Sequence, residues 1–404
     1  MIQIIKSGTN FDFMGKRRAF ITLSLVVVLA SLVAMFAIGP KFGIDFMGGT
    51  EIQIDFEQTV GTGEIRATMD KLGFPGAEVV SFGAHASEYL IRLQAISPVS
   101  DEQAVKAQAA IGQALGDNAI NRFELSQGGD KLSMRLARQV EIPDLERAVA
   151  AAGLVLGSAE QQVQAPSKSE DEPAVEESSK RCESVTCTWP FQDTQIYEVN
   201  LKGVADRVMD GLRQEPWGAG AVKMRSEWVG PKVGQQLRVA GVSSIVYALL
   251  FIMLYVAVRF DLRFAPGGVV ALIHDVIITM GIFTLARVEV TLATIAALLT
   301  IIGYSLNDTI VVFDRIRENL GRVRERSLVA VINQSVNETL SRTLLTSLTT
   351  LLVVAVLLIV GWKTTIRDFA FALLVGVLVG TYSTIFIASP IVVWIDKRMG
   401  KKKA

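Results

Sequence analysis

The chain has 404 residues, half of them hydrophobic, with 40 basic and 40 acidic side chains and a formal net charge of zero. A mean hydropathy of +0.39 is too apolar for an ordinary soluble protein, and balanced charge gives no bulk attraction for nucleic acid. No GxxxxGK[ST] phosphate loop occurs, which argues against ATP as the chain's own fuel. Two cysteines (Cys182, Cys187) and two histidines (His85, His274) lie too far apart for a four-ligand zinc site, so neither metal nor cofactor is expected.

Lys16, Arg17 and Arg18 precede an apolar run from Ala19 to Ile38. The run is longer than a signal-peptide core and further apolar runs follow, so it reads as a retained anchor. Basic flanks stay on the cytoplasmic side. Residues 1–39 are therefore expected to be a cytoplasmic amino terminus and the first transmembrane helix.

Residues 40–236 then read as one periplasmic α+β region. Thr50–Phe56 alternates apolar and polar like a strand, and Thr62–Leu72 has helical spacing. Strands near Glu78–Phe82 and Tyr89–Leu93, a helix over Asp101–Leu115 and a strand over Asn121–Leu125 complete βαββαβ, the ferredoxin-like order. The order repeats: strand Lys131–Ala137, helix Pro143–Ala152, a weak strand at Leu154–Ala159, strand Gln195–Asn200, helix Val204–Arg213 and strand Ala221–Trp228. Two ferredoxin-like units, about 48–126 and 130–228, are the expectation; a single larger irregular domain is the alternative. Between them the Glu-, Ser- and Pro-rich residues 161–181 read as a flexible acidic loop. Cys182 and Cys187 follow it; outside the cytoplasm they would close a small disulfide loop, free thiols being the other reading.

From 237 to 396 the chain reads as membrane, each span needing about 20 mostly apolar residues. The second to sixth spans are expected at Val239–Val258, Gly267–Leu285, Leu292–Val312, Thr339–Val360 and Phe369–Ile387. Arginines at 315, 317, 322, 324 and 326 and a basic tail at 397–404 fall on the side of the amino terminus. The fold class is thus a polytopic α-helical membrane protein with six transmembrane helices and an inserted α+β region, both termini cytoplasmic.

Asn307 and Asp308 interrupt the fourth span. A carboxylate inside a spanning helix costs about 3 kcal/mol even on lenient scales, so it faces a bundle interior or a wet cavity and has a partner. If the helix has already ended there, both residues are simply wet. With the turn between the fourth and fifth spans placed near Glu325, Arg342 stands opposite Asp308 on an antiparallel helix pair. Arg342 keeps its proton; Asp308, caught between an opposite charge and burial, is suited to load and release one. A permanent ion pair locking two helices is the competing reading. Asp275 in the third span is a second acid, and His274 beside it ranks below both aspartates, as does Thr346 in a threonine stripe that intrahelical bonds would also explain. Ala372, Gly376, Gly380 and Thr384 form a small-residue stripe for close helix packing.

Several stretches resemble one family. They are FGIDFMGGT (Phe42–Thr50), VGPKVGQQL (Val229–Leu237), LIHDVIITMGIF (Leu272–Phe283), GYSLNDTIVVFDRIREN (Gly303–Asn319), SRTLLTSLTTLLVV (Ser341–Val354) and VGVLVGTYSTIF (Val375–Phe386). Together they closely resemble the SecF branch of the SecD/SecF family, of the RND superfamily type. The resemblance implies a transport component rather than an enzyme, with no catalytic residue, which pairs with SecD and uses protons to promote preprotein export after SecYEG. YajC and YidC are further implied partners. It ties the aspartate and arginine at Asp308 and Arg342 to proton coupling, and matches Asp45, Gly48 and Gly49 to a membrane-proximal motif. The soluble region departs from the pattern, because a typical member has one short periplasmic domain. Two alternatives stay open: a proton-coupled exporter of small molecules or lipids, and a passive assembly factor.

Overall fold

The computed structural model describes residues 10–83, 85–94, 101–116, 119–126, 129, 131–138, 140–157, 185–191, 194–260, 263–322 and 327–400. They fall into two units, Met1–Phe46 with Gln235–Ala404, and Met47–Gly234.

Among the described residues six helices are long and apolar enough to span: Arg17–Ala37, Pro231–Arg259, Ala265–Leu285, Leu292–Arg322, Leu328–Val360 and Ile366–Arg398. The fourth and fifth run to 31 and 33 residues, roughly 46–50 Å at 1.5 Å per residue against a hydrocarbon core of about 30 Å. Their ends therefore extend well past the apolar stretches seen in the sequence. Ser327 caps the fifth helix by accepting from the Ala330 N–H, leaving an orphan donor satisfied. The sixth span contains one π-helical turn, Thr384–Ala388. Pro390 just beyond it has no N–H and would clash with the carbonyl four residues back; the wider turn accommodates it. Small residues allow close approach: a side chain at Gly376 would meet Ile301 of the fourth span at 2.3 Å, and one at Gly281 would meet Ser31 of the first at 2.3 Å.

Lys41–Phe42 (β1) pairs in parallel with Glu289–Val290, and Lys41 Nζ reaches Glu289 at 2.9 Å. Residues 41–46 consequently belong with the membrane unit, not with the soluble region expected to begin at residue 40.

In the soluble unit the strands are Gly49–Asp55 (β2), Glu78–Ser81 (β3), Glu88–Leu93 (β4), Ile120–Leu125 (β5), Lys131–Leu136 (β6), Val185–Phe191 (β7), Thr194–Asn200 (β8) and Val222–Val229 (β9). The helices are Thr62–Lys71, Asp101–Leu115, Ile142–Ala151 and Val204–Arg213. The two βαββαβ repeats are present in chain order, but they do not fold as the two sequential units 48–126 and 130–228. One sheet has the order β3-β4-β2-β9 and the other β5-β6-β8-β7. Each repeat keeps its first three strands and exchanges its closing helix and strand: β9 completes the first sheet and β5 completes the second. Both sheets nevertheless have the ferredoxin-like arrangement, with the fourth strand beside the first.

The cores follow the exchange. Ile52, Ile54, Ile65, Met69 and Ile91 pack against Val208 and Leu212 of helix 204–213, while Ile111 of helix 101–115 packs with Leu132, Met134, Leu145 and Val199. One fixture occurs in both. The Tyr89 hydroxyl donates to Val60 O (2.5 Å) and accepts from Val60 N–H (3.1 Å), as Tyr197 does with Val140 (3.0 and 2.9 Å). Each valine lies two residues before its helix. The second strand of the second sheet is Val185–Phe191; of the expected strand Leu154–Ala159, the described residues contribute a bridge from Leu156 to Leu201. The acidic loop and Cys182 lie outside the described residues; Cys187 lies on β7.

Candidate functional site: polar groups within the membrane unit

Asp308 is 3% exposed in the fourth span. Its Oδ2 accepts from Ser347 Oγ of the fifth span at 3.4 Å, and the Thr346 hydroxyl is also within reach. Among the described residues Asp308 forms no ion pair with Arg342. This corrects the expected pairing, and the reason is register. Asn319 Nδ2 donates to Ser335 Oγ (2.9 Å) and Arg315 Nε to Glu338 (2.5 Å). Those pairs, and Asp308 with Ser347, are centred near residue 327, not 325. A two-residue shift of the turn becomes four residues between the arms, about 6 Å or one helical turn. Arg342 therefore stands one turn nearer the hairpin end than Asp308, and its side chain is exposed. Asn307 is exposed too, beside the buried carboxylate but turned about 100° from it around the helix.

Asp275 is fully buried at the midpoint of the third span. Oδ2 accepts from Ser305 Oγ of the fourth span (2.7 Å) and from Ser383 Oγ of the sixth (2.9 Å). Oδ1 lies 3.0 Å from His274 Nδ1. Gly380 makes room for this carboxylate, since a side chain there would lie 3.0 Å from Ser305 Cβ and 3.5 Å from Asp275 Oδ2. The His274 ring stacks on Tyr382 with centroids 6.2 Å apart. Tyr382 in turn donates to Phe20 O (3.0 Å) and bonds Ser24 Oγ (2.8 Å) on the first span. Below it, Thr309 and Thr384 share a hydroxyl contact of 3.0 Å. Asp275 and Asp308 thus sit in separate settings.

The threonine stripe turns mostly on itself. Thr339, Thr346 and Thr350 bond backbone carbonyls of their own helix, the ordinary behaviour of a helical threonine. The serines at 305, 347 and 383 were not singled out from the sequence. Ser305 lies one turn before Asp308, a spacing that puts two polar groups along one face, and this is the signal available for it.

Asp45 accepts from the Leu292 N–H at 2.8 Å, capping the fourth span. Gly48 (φ +76°) and Gly49 (φ 143°) occupy backbone conformations favoured by glycine. A Cβ at Gly48 would lie 3.0 Å from Pro231 Cα and 3.1 Å from Val229 O. The two motifs FGIDFMGGT and VGPKVGQQL therefore meet through bare backbone.

Residues 214–398 match the family model described as protein export membrane protein SecD/SecF, C-terminal, and residues 33–60 match the SecD/SecF GG motif. The chain is 35% identical over 409 residues to a protein translocase subunit SecF of Koribacter versatilis, covering 98% of this chain and 94% of that one. It is likewise 35% identical to a SecF of Magnetococcus marinus, covering 100% and 97%. Alignment over nearly whole chains means that the long soluble region is shared with these relatives and is not peculiar to this protein. Among solved structures, that of SecDF from Thermus thermophilus, a translocon-associated membrane protein, aligns with a TM-score of 0.61 and 31% identity, covering 96% of this chain and 39% of that longer one. A second SecDF structure, in a super-membrane-facing form, gives 0.56 and 30%. With relatives this similar along almost its full length, and with the membrane helices and glycine motif in place, the chain belongs to the SecF family of protein translocase subunits.

Proposed function

We propose that this chain is the SecF-type half of a proton-driven accessory motor of protein export, paired with a SecD-type chain. It lies in the inner membrane with both termini cytoplasmic and the soluble unit in the periplasm, acting on preprotein that emerges from SecYEG, with YajC and YidC as accessory partners. The observation that carries this reading is Asp308: a carboxylate bonded to the Ser347 hydroxyl and, among the described residues, to no cation, buried between two spanning helices with a permanent cation one turn away. Such a group changes charge at modest cost when its surroundings shift. Each charge crossing the membrane contributes roughly 2.3 kcal/mol per 100 mV, enough for one or two protons to tip a domain with two states a few kcal/mol apart.

Pairing with SecD rests on the outer face of the fourth span. Ala293, Ala296, Thr300, Gly303 and Asn307 are all exposed there, at the alternating spacing of a packing seam. Arg342 is exposed on the adjacent fifth span. An amide and a guanidinium at membrane depth are expensive against lipid; a neighbouring helix bundle covers them.

Asp308→Asn tests the coupling. The variant is expected to fold, insert and keep its partner while export loses its dependence on the proton gradient. Normal proton-dependent export in that variant, and in Arg342→Gln, would leave only a passive assembly role.

A further inference from the structure

The third span carries a second titratable site that the Asp308 device does not use. We infer that His274 is a proton-holding group of the membrane unit, exchanging its proton at Nε2 while Asp275 serves as its fixed acceptor partner. This rests on the proton-coupled reading above, and adds to it where a second charge is held.

The assignment follows from accounting for every polar atom of the pair. Both oxygens of Asp275 are occupied: Oδ2 by the hydroxyls of Ser305 and Ser383, Oδ1 by His274 Nδ1. Two serine donors and the imidazole contact on one carboxylate leave it little room to take up and release a proton without disturbing bonds to the fourth and sixth spans. His274 Nε2 is different. It is buried, on a side chain 6% exposed, and has no hydrogen-bond partner among the described residues. Buried polar atoms without a partner are rare and mark functional positions or strain. Here the orphan atom belongs to the side chain whose ordinary titration range spans neutral pH. Gaining a proton from water turns the neutral ring into an imidazolium; the positive charge then lies 3.0 Å from the Asp275 carboxylate. Losing it returns the proton to water and leaves the Nδ1 contact intact. A charge buried beside its counter-charge is tolerated where an isolated one is not.

The surroundings contain few competitors. The first span carries no ionisable side chain between Arg18 and its end. At membrane depth the fourth span offers Tyr304 and Asp308, and the sixth offers Tyr382. Tyr382 stacks on the imidazole, and its hydroxyl is engaged by Phe20 O and Ser24. Asp308 has its own partner in Ser347. The His274 site is coupled to helix geometry because Asp275 ties the third, fourth and sixth spans together beside the π turn. A change of charge on the ring thereby acts on three helices.

The chain has only two histidines, His85 and His274, so an exposed-site change, His85→Gln, leaves one imidazole to observe. The full chain, labelled with nitrogen-15 histidine and placed in lipid nanodiscs, is titrated by NMR between about pH 5 and 9. The Nε2 signal is expected to pass from unprotonated to protonated within that window. Asp275→Asn in the same background is expected to move the midpoint by about one unit or more, a tenfold change in proton affinity. A ring that keeps one protonation state across the window, or a midpoint indifferent to Asp275→Asn, overturns the inference. In the assembled translocase, His274→Gln is expected to flatten the pH profile of proton-dependent export. An unchanged profile in a folded His274→Gln protein also overturns it, while leaving the Asp308 reading intact. Normal proton-dependent export by Asp308→Asn counts against that reading instead, and does not alter the NMR result.

Discussion

Asp308 and Asp275 share a residue type and a depth of burial but differ in their surroundings. Asp275 is held by serine donors from two other helices and contacts its neighbouring histidine; Asp308 has one long serine contact. In the proposed coupling the loosely held group is the better one to change charge, because fewer bonds must be remade. Gly380 sets the limit around Asp275, and other glycines set packing limits elsewhere. Gly376→Ala brings a methyl to 2.3 Å from Ile301, and overpacking of this kind costs about 1–3 kcal/mol. Thermal unfolding in detergent should register the loss, with insertion unchanged. Gly48→Ala faces both a positive φ of +76° and Pro231 at 3.0 Å; it should destabilise the soluble unit by about 1–3 kcal/mol, visible as early protease cleavage. The glycine pair was legible in the sequence, but the backbone it approaches was not.

The hairpin of the fourth and fifth spans shows how an element can be read correctly and still be placed wrongly. Both spans and their antiparallel polarity follow from composition; the short connection does not, because the helices run past the apolar stretches to Arg322 and from Leu328. Their register depends on the residue at which the second helix is capped, and that is Ser327. Cysteine pairs in a background lacking Cys182 and Cys187 distinguish the two registers. Asn319→Cys with Ser335→Cys should crosslink rapidly, since the native groups lie 2.9 Å apart. Asn319→Cys with Val331→Cys, the pair implied by a turn at Glu325, should crosslink much more slowly. Equal rates on gels would mean that the register is not fixed. The same shift separates Arg342 from Asp308 along the helix pair, and the arginine is exposed.

Across the whole molecule, the soluble unit holds two sheets built by exchange between successive repeats. Each first-to-third strand set needs a closing helix and strand, and either repeat can supply one of the right pattern. The contiguous stretch 101–200 therefore encodes one complete sheet, and what flanks it encodes the other. Replacing residues 101–200 by a short Gly-Ser linker in the full chain should leave β2, β3, β4 and β9 folded, with a cooperative melt and protease resistance. Removing residues 130–228 instead, along the repeat boundary, should leave two incomplete sheets and a protease-sensitive chain. If both deletions behave alike, the exchanged arrangement is not what holds the unit together.

Sequence alone determined the six spans, their apolar lengths, the α+β character of the insertion and the residue types that sit expensively at membrane depth. Those properties are local: hydropathy, periodicity and basic flanks are carried by neighbouring residues and need no long-range contact to be read. Only the tertiary structure decided which serine holds which aspartate, which glycine admits which neighbour, and which repeat closes which sheet. Such choices compare nearly equal options separated by one helical turn or one repeat, and packing of residues far apart in the chain selects among them.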